Sequence, residues 1–248
     1  MSSYKFFAGL YDTLTENVNY KVRSDYISGF FTADNINSGT IVDLACGTGS
    51  FGVQLAEKGY SIIGVDMSEE MLCQAQYKLE NADCEYTLIN SKMQNFKSDI
   101  QADGVICMLD SINHLTVPDD VKKTFQNAFS YLKKGGLFIF DVNTVYKHQQ
   151  ILFDNTFVFD EEDYYLVWDN ERVNDREVRI LLDFFLFNGT SYDRYSEEFS
   201  EYAYSVEELT EMLNQSGFNS IKIYDELTHE APKENSERIY FVCKKEDE

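Results

Sequence analysis

Basic residues are scarce in this 248-residue chain: 21 lysines and arginines stand against 43 aspartates and glutamates, a formal net charge of −22. That excess repels phosphate backbones at long range and argues against nucleic acid or an anionic membrane as the main partner. Histidine is rarer still, with three residues, and no C-x-x-C pair or His/Cys cluster has zinc-ligand spacing, so no metal is expected. The five cysteines, at positions 46, 73, 84, 107 and 243, are scattered and odd in number. Reduced thiols fit that pattern better than a disulfide framework does. No apolar run approaches a membrane span, and the first residues lack a basic start followed by an apolar block. The expected compartment is the cytoplasm. The 44% hydrophobic content suffices for one large core with a small appended subdomain, and no internal repeat or low-complexity linker interrupts it.

The most informative stretch is TIVDLACGTGS, residues 40–50. It reads as a buried strand ending in an acid, a tight glycine turn, and the start of a helix. Gly47 and Gly49 lack side chains, so the backbone turns sharply there and a ligand approaches closely. The next apolar strand, YSIIGVD, ends in Asp66, which is placed to accept hydrogen bonds from ribose hydroxyls. Residues 47–52 also fit G-x-G-x-x-G, the dinucleotide fingerprint. Asp43 argues against a dinucleotide, because a carboxylate four residues before Gly47 repels a pyrophosphate. It attracts a cation, and S-adenosylmethionine carries an ammonium and a sulfonium with no phosphate.

The segment from Asp43 to Gly49, DLACGTG, resembles motif I of the class I S-adenosylmethionine-dependent methyltransferases, whose pattern is acid-x-Gly-x-Gly-x-Gly. Ala45 stands in place of the first glycine. VDMSEEML, residues 65–72, resembles the next family segment, which implies that Asp66 holds the ribose and Met67 lies against adenine. CMLDSINHL (107–115) and LKKGGLFIFDVN (132–143) resemble the strand-four and strand-five ends of the bacterial small-molecule branch. FAGLYD (7–12) resembles its N-terminal helix, in which Tyr11 faces the cofactor. One departure concerns adenine: the family has an acid after strand three, where this chain has Lys92 within INSKMQNF. Ser91 or the backbone around Met93 then has to recognise the base. The Asn/Asp-Pro-Pro-aromatic turn of base-amino methyltransferases and the Pro-Cys nucleophile of cytosine C5 enzymes are both missing, since the only prolines are Pro118 and Pro232.

Alternating strand and helix signals predict an α/β fold: a doubly wound, mostly parallel seven-stranded sheet with helices on both faces. Helices rich in Tyr and Phe are expected within residues 1–35. Strands are expected at 40–45, 61–66, 84–89 and 104–109, with a fifth ending at 142. Helices are expected at 50–58, 68–80 and 119–132, the last ending at Gly135-Gly136. From residue 155 to 203 the pattern becomes aromatic, β-branched and charged, and predicts a small antiparallel β insert after strand five. Its turns fall at Asn174-Asp175 and Asn188-Gly189. The expected division is a methyltransferase-like domain at 1–148 and 203–248, with 149–202 as a substrate lid or dimer surface.

The candidate cofactor-binding residues are therefore Tyr11, Asp43, Ala45, Gly47, Gly49, Asp66, Met67, Ser91, Met93 and Asp110. Asp110 ends strand four at the ligand-binding edge of the sheet. His114, on the same loop, is the catalytic candidate, as a neutral imidazole that accepts a substrate proton; a packed or solvated loop histidine is the alternative. Arg172, Arg176, Arg179 and Arg194 in the insert would clamp an anionic substrate, unless they merely pair with nearby acids. Trp168, Tyr164, Tyr165, Phe184 and Phe185 would wall a pocket, or pack in a core or homodimer surface. The expected activity is methyl transfer to a small molecule by in-line displacement. An NAD-dependent oxidoreductase and a non-catalytic cofactor-binding regulator are the competing readings.

Overall fold

The computed structural model describes residues 11–12, 15, 18–82, 84–97, 99–162 and 164–246. Helix α1 (Tyr20–Ala33) leads into β1 (Gly39–Leu44), α2 (Ser50–Ala56), β2 (Tyr60–Asp66), α3 (Glu69–Asn81) and β3 (Tyr86–Asn90). The chain then crosses to β4 (Ala102–Cys107), α4 (Pro118–Tyr131) and β5 (Leu132–Asn143). A short α5 (Val145–Lys147), continued by a π turn (His148–Leu152), precedes β6 (Thr156–Asp160), β7 (Tyr164–Arg172), β8 (Glu177–Phe187) and β9 (Tyr192–Tyr202). Helix α6 (Val206–Gln215), β10 (Ser220–Asp225) and β11 (Arg238–Lys244) follow. The main sheet has seven strands in the order β10-β11-β5-β4-β1-β2-β3, and the second has four in the order β6-β7-β8-β9. Strands β1 to β5 run parallel, and β11 is antiparallel to both of its neighbours. This is the doubly wound sheet and antiparallel insert expected from the sequence. Most of the N-terminal segment, including Phe7 to Leu10, lies outside the described residues.

Alternation along the strands divides the core between two faces. Ile41, Ile62, Ile106 and Ile139 pack with Ile27, Phe31, Phe51, Leu55 and Leu79 of α1, α2 and α3. Their neighbours Val42, Ile63, Val105 and Phe140 pack against Val121 and Phe125 of α4 and Leu209 and Leu213 of α6. Local signals fix the helix starts. Ser68 accepts the Met71 N–H, with Glu69 and Glu70 in the first turn of α3. Ser205 and Glu208 form a reciprocal capping box at α6, and Pro118 opens α4. Helix α4 stops at Tyr131, earlier than Gly135-Gly136, because Leu132 already enters the sheet. Gly135, at φ +79°, instead marks an irregularity in the β4–β5 pairing, and its N–H is held by the Lys245 carbonyl at 2.8 Å.

The strand order reverses between β1 and β4, which opens a crevice outside their carboxyl ends. Two features hold its rim. Gly49 has φ +77°, and a Cβ there would lie 2.9 Å from the Ala75 Cβ of α3. On the other side, Leu109 and Asp110 both have left-handed backbones, at φ +55° and +52°. The buried Asp141 carboxylate accepts their N–H groups at 2.7 and 3.3 Å. The Arg238 guanidinium bridges Asp141 and Asp110, the latter at 2.5 Å. Burial raises the Asp110 carboxyl, but Arg238, then Lys147 and His114, outweigh it and hold it well below the usual carboxylate range.

Each rim yields an expected outcome. Gly49→Ala forces a side chain into α3 and is expected to lower unfolding stability by about 1–3 kcal/mol in urea titration. Arg238→Met leaves two buried carboxylates without a counter-charge and is expected to cost about 3–5 kcal/mol in the same measurement. Either variant matching the parent would show that its rim contact does not hold the fold.

Candidate active site

A cavity of about 830 Å³ lies between the carboxyl edge of the main sheet and the insert. Its floor includes Tyr11, Ala45, Gly47, Asp66, Met67, Ser91, Met93 and Asp110, so eight of the ten expected cofactor residues meet there. Asp66, at the end of β2, accepts the Gly47 N–H and the Ser68 N–H, each at 2.9 Å. Burial raises its pKa, and the donated backbone N–H groups only partly offset this. Met67 is 62% exposed beside it, an apolar surface ready to be covered. Gly47 has φ +54°, and a Cβ there meets nothing within 4 Å, so this turn faces open space. Ala45 adopts φ +58°, a conformation its family's glycine takes freely and alanine takes at a cost of about 1–2 kcal/mol. Burial, with Tyr20 and then Asp110, Asp66 and Asp12, pushes the Tyr11 phenol well above its usual range.

Two expected cofactor residues do not line the cavity. Gly49 lies against α3, where its lack of a side chain leaves room for Ala75. Asp43 is 2% exposed, and its Oδ2 has no hydrogen-bond partner among the described residues. Burial, then the neighbouring Asp66, pushes its pKa up to about 8. Such a group is poised to ionise when a cation arrives. An orphaned carboxyl oxygen, an empty glycine turn and a ribose-type acid together fit an adenosyl sulfonium. Lys92 also lines the cavity, beside Ser91 and Met93, where the family has an acid.

The insert supplies the roof. Strand alternation sends Tyr164, Leu166 and Trp168 of β7, Leu182 and Phe184 of β8, and Glu197, Phe199 and Glu201 of β9 toward the cavity. Tyr165 and Phe185 pair on the opposite face, so they leave the expected wall. The arginine clamp does not form. Arg172 pairs with Asp175, Arg176 with Glu208, Arg179 with Glu171 and Arg194 with Asp183, and none lines the cavity. Their neighbouring acids sit on the same turn, strand pair or adjoining helix and satisfy them locally.

His114 does reach the cavity. It packs on Phe199 with ring centroids 4.9 Å apart, and its Nε2 lies 3.9 Å from Glu201 Oε1. Ligand atoms of Asp110, His114 and Glu201 lie within 4.8 Å of one another, close enough for a cation, although Arg238 already holds Asp110. Arg23, Lys147, Glu201 and Arg238 are lining residues that the sequence reading missed. The E-x-F-x-E alternation of residues 197–201 was the available signal for Glu201.

A family model described as a methyltransferase domain matches residues 41–136. The chain is 35% identical over 244 residues to YqeM of Bacillus subtilis, classed as a methyltransferase, with 98% of this chain and 97% of that one covered. A glycine/sarcosine N-methyltransferase of Aphanothece halophytica is 25% identical over 246 residues, covering 98% and 90%. The crystal structure of an S-adenosylmethionine-dependent methyltransferase from Clostridium acetobutylicum superposes with a TM-score of 0.91 at 33% identity, covering 99% and 100%. DesVI of Streptomyces venezuelae shares the fold, with a TM-score of 0.79 at 17% identity over 96% and 97%. Motif, sheet order and near-complete alignment agree, and the chain belongs to the class I S-adenosylmethionine-dependent methyltransferases.

Proposed function

We propose that this enzyme methylates a small molecule held between the carboxyl edge of the main sheet and the inward face of the insert. The observation that carries the reading is the shared cavity, floored by Asp66 and Gly47 and roofed by Trp168, Phe184 and Phe199. Relatives support a small acceptor: their names specify glycine and sarcosine, or a dTDP-linked amino sugar. S-adenosylmethionine, when bound, supplies an activated methyl group on a positively charged sulfur. In this reading Asp66 takes the ribose, Met67 covers adenine, and Ser91 and Met93 border the base in place of the missing acid. Gly47 and Ala45 let the backbone approach, Tyr11 and Asp110 face the methionine end, and the buried Asp43 supplies negative charge from behind the lining. The protein aligns the two reactants and excludes water; well-oriented pairs gain at best about 7–11 kcal/mol this way.

Residues 149–202 would then be the lid that sets specificity. The outward Tyr165, Phe187 and Tyr192 are 36%, 50% and 57% exposed, and a second copy covering them would make the homodimer expected from the sequence. Among the described residues no helix is long and apolar enough to cross a membrane.

Removing the Asp66 carboxylate deletes charged hydrogen bonds to the ribose, together worth about 1.5–3 kcal/mol. Asp66→Ala is therefore expected to weaken S-adenosylmethionine binding roughly 10- to 100-fold by calorimetry; unchanged binding would reject the site. Methyl-labelled cofactor incubated with cell extract should label a small molecule, and a labelled macromolecule would overturn the proposal.

Asp43 predicts a pH dependence. Its folded-state pKa of about 8 lies above the unfolded value, so the folded chain binds an extra proton across that interval. The stabilising contribution is present at low pH and is lost as pH rises through the folded value. Asp43→Asn should raise the melting midpoint of the ligand-free protein at pH 8 by about 2–8 °C. Binding a cation favours the ionised form, so wild-type affinity should rise from pH 6.5 to 9 with proton release. The Asn variant should lose both the release and the slope, and an unchanged slope would contradict the role given to Asp43.

A further inference from the structure

Glu201 is a carboxylate that the main reaction scheme leaves unused. It sits at the end of β9, is 3% exposed, and lines the cavity. No lysine or arginine forms an ion pair with it among the described residues. Its Oε2 is anchored by Asn143, which donates Nδ2–H at 3.1 Å, while Nε2 of the fully buried His148 stands 3.5 Å away without a hydrogen bond. Asn143 is itself fixed, because its N–H donates to Asn113 Oδ1 at 3.0 Å. The Asn113 amide donates in turn to the Asn143 carbonyl at 3.1 Å and the Tyr202 carbonyl at 3.0 Å. These bonds lock the loop after β4, the end of β5 and the end of β9 into one unit. The other oxygen, Oε1, is left toward His114, which is 42% exposed and stands 3.9 Å away.

A buried carboxylate without a cation is costly, and a cationic ligand relieves that cost. The surroundings favour the same sign. Arg238 is engaged by Asp110 and Asp141, and Arg23 by Glu226, while Lys147 donates to Asn143 Oδ1 at 3.0 Å. Glu197, two strand positions beyond Phe199, adds a second acid to the roof. Trp168, Phe184 and Phe199 supply aromatic surface against which an ammonium and its apolar body are both stable.

We propose that Glu201 Oε1 and His114 form an ammonium-binding site and that the methyl acceptor is an aliphatic amine. This rests on the methyltransferase reading of the same cavity. His114 takes one proton from the bound ammonium and passes it to solvent at the cavity mouth. The freed nitrogen lone pair forms the new N–C bond while the C–S bond breaks, its electron pair remaining on sulfur as a neutral thioether. Glu201 compensates positive charge on the nitrogen before and after transfer. Asn143 is a positioning residue that acts through Glu201.

The test uses benzylamine and its near-isostere benzyl alcohol as probes, titrated into the wild-type protein saturated with S-adenosylhomocysteine. The amine is expected to bind at least tenfold more tightly, and Glu201→Gln to erase that preference while S-adenosylhomocysteine binding stays unchanged. A second readout needs no variant: benzylamine, and not the alcohol, should shift the His114 imidazole resonance in NMR spectra of the wild type. Equal binding of the two probes, a preference that survives Glu201→Gln, or no selective shift of His114 would overturn the proposal. Failure of S-adenosylhomocysteine to bind the wild type would instead overturn the cofactor reading, and this site with it.

Discussion

Carboxylates withdrawn from water at the carboxyl edge of a parallel sheet are the constraint on which this structure depends. Charge buried in a low dielectric is unfavourable unless something compensates it. The chain compensates Asp110 and Asp141 internally, through the Arg238 guanidinium and two backbone N–H groups. It satisfies Asp66 with the N–H groups of the two turns that the acid joins. It leaves Asp43 Oδ2 with no hydrogen-bond partner among the described residues. This gradation separates the acids: the paired ones fix the rim, and the unpaired one is the acid that the proposed binding of a cation would satisfy.

The main sheet and the insert divide the labour along the same line. The sheet's strand order creates the crevice, and the two left-handed residues after β4 turn the loop across it. The insert closes the crevice from above with one face of three strands, whose alternation sends one set of side chains inward. Helix α1 joins the arrangement through Arg23, which donates to Tyr240 of β11 and to Glu226 just after β10. Floor, rim and roof are thus connected by hydrogen bonds between residues far apart in sequence.

That sequence distance explains how much was legible beforehand. Motif I, Asp66 and Met67 were legible because turn chemistry and strand endings are encoded within a few neighbouring residues. The insert's strands followed from local alternation and from Asn-Asp and Asn-Gly turns. Gly49 was ambiguous because a glycine needed for packing against Ala75 looks the same in sequence as one needed for a ligand. The insert arginines were ambiguous for a related reason: their partners lie on paired strands, a nearby turn and the start of α6, and only register reveals those pairs. Arg238 and Glu201 were missed because their partners are 128, 97 and 58 residues away. No periodicity carries such a pairing.

The account's central claim is that the acids at the ends of β1 and β2 receive an adenosyl group bearing positive charge. The direct measurement is diffraction from crystals grown with S-adenosylmethionine. It should reveal the ribose hydroxyls on the Asp66 carboxylate, the methylene chain crossing Gly47, and the cationic end directed toward Asp43. Electron density for the cofactor elsewhere in the molecule, or in this cavity with its ribose away from Asp66, would contradict the account.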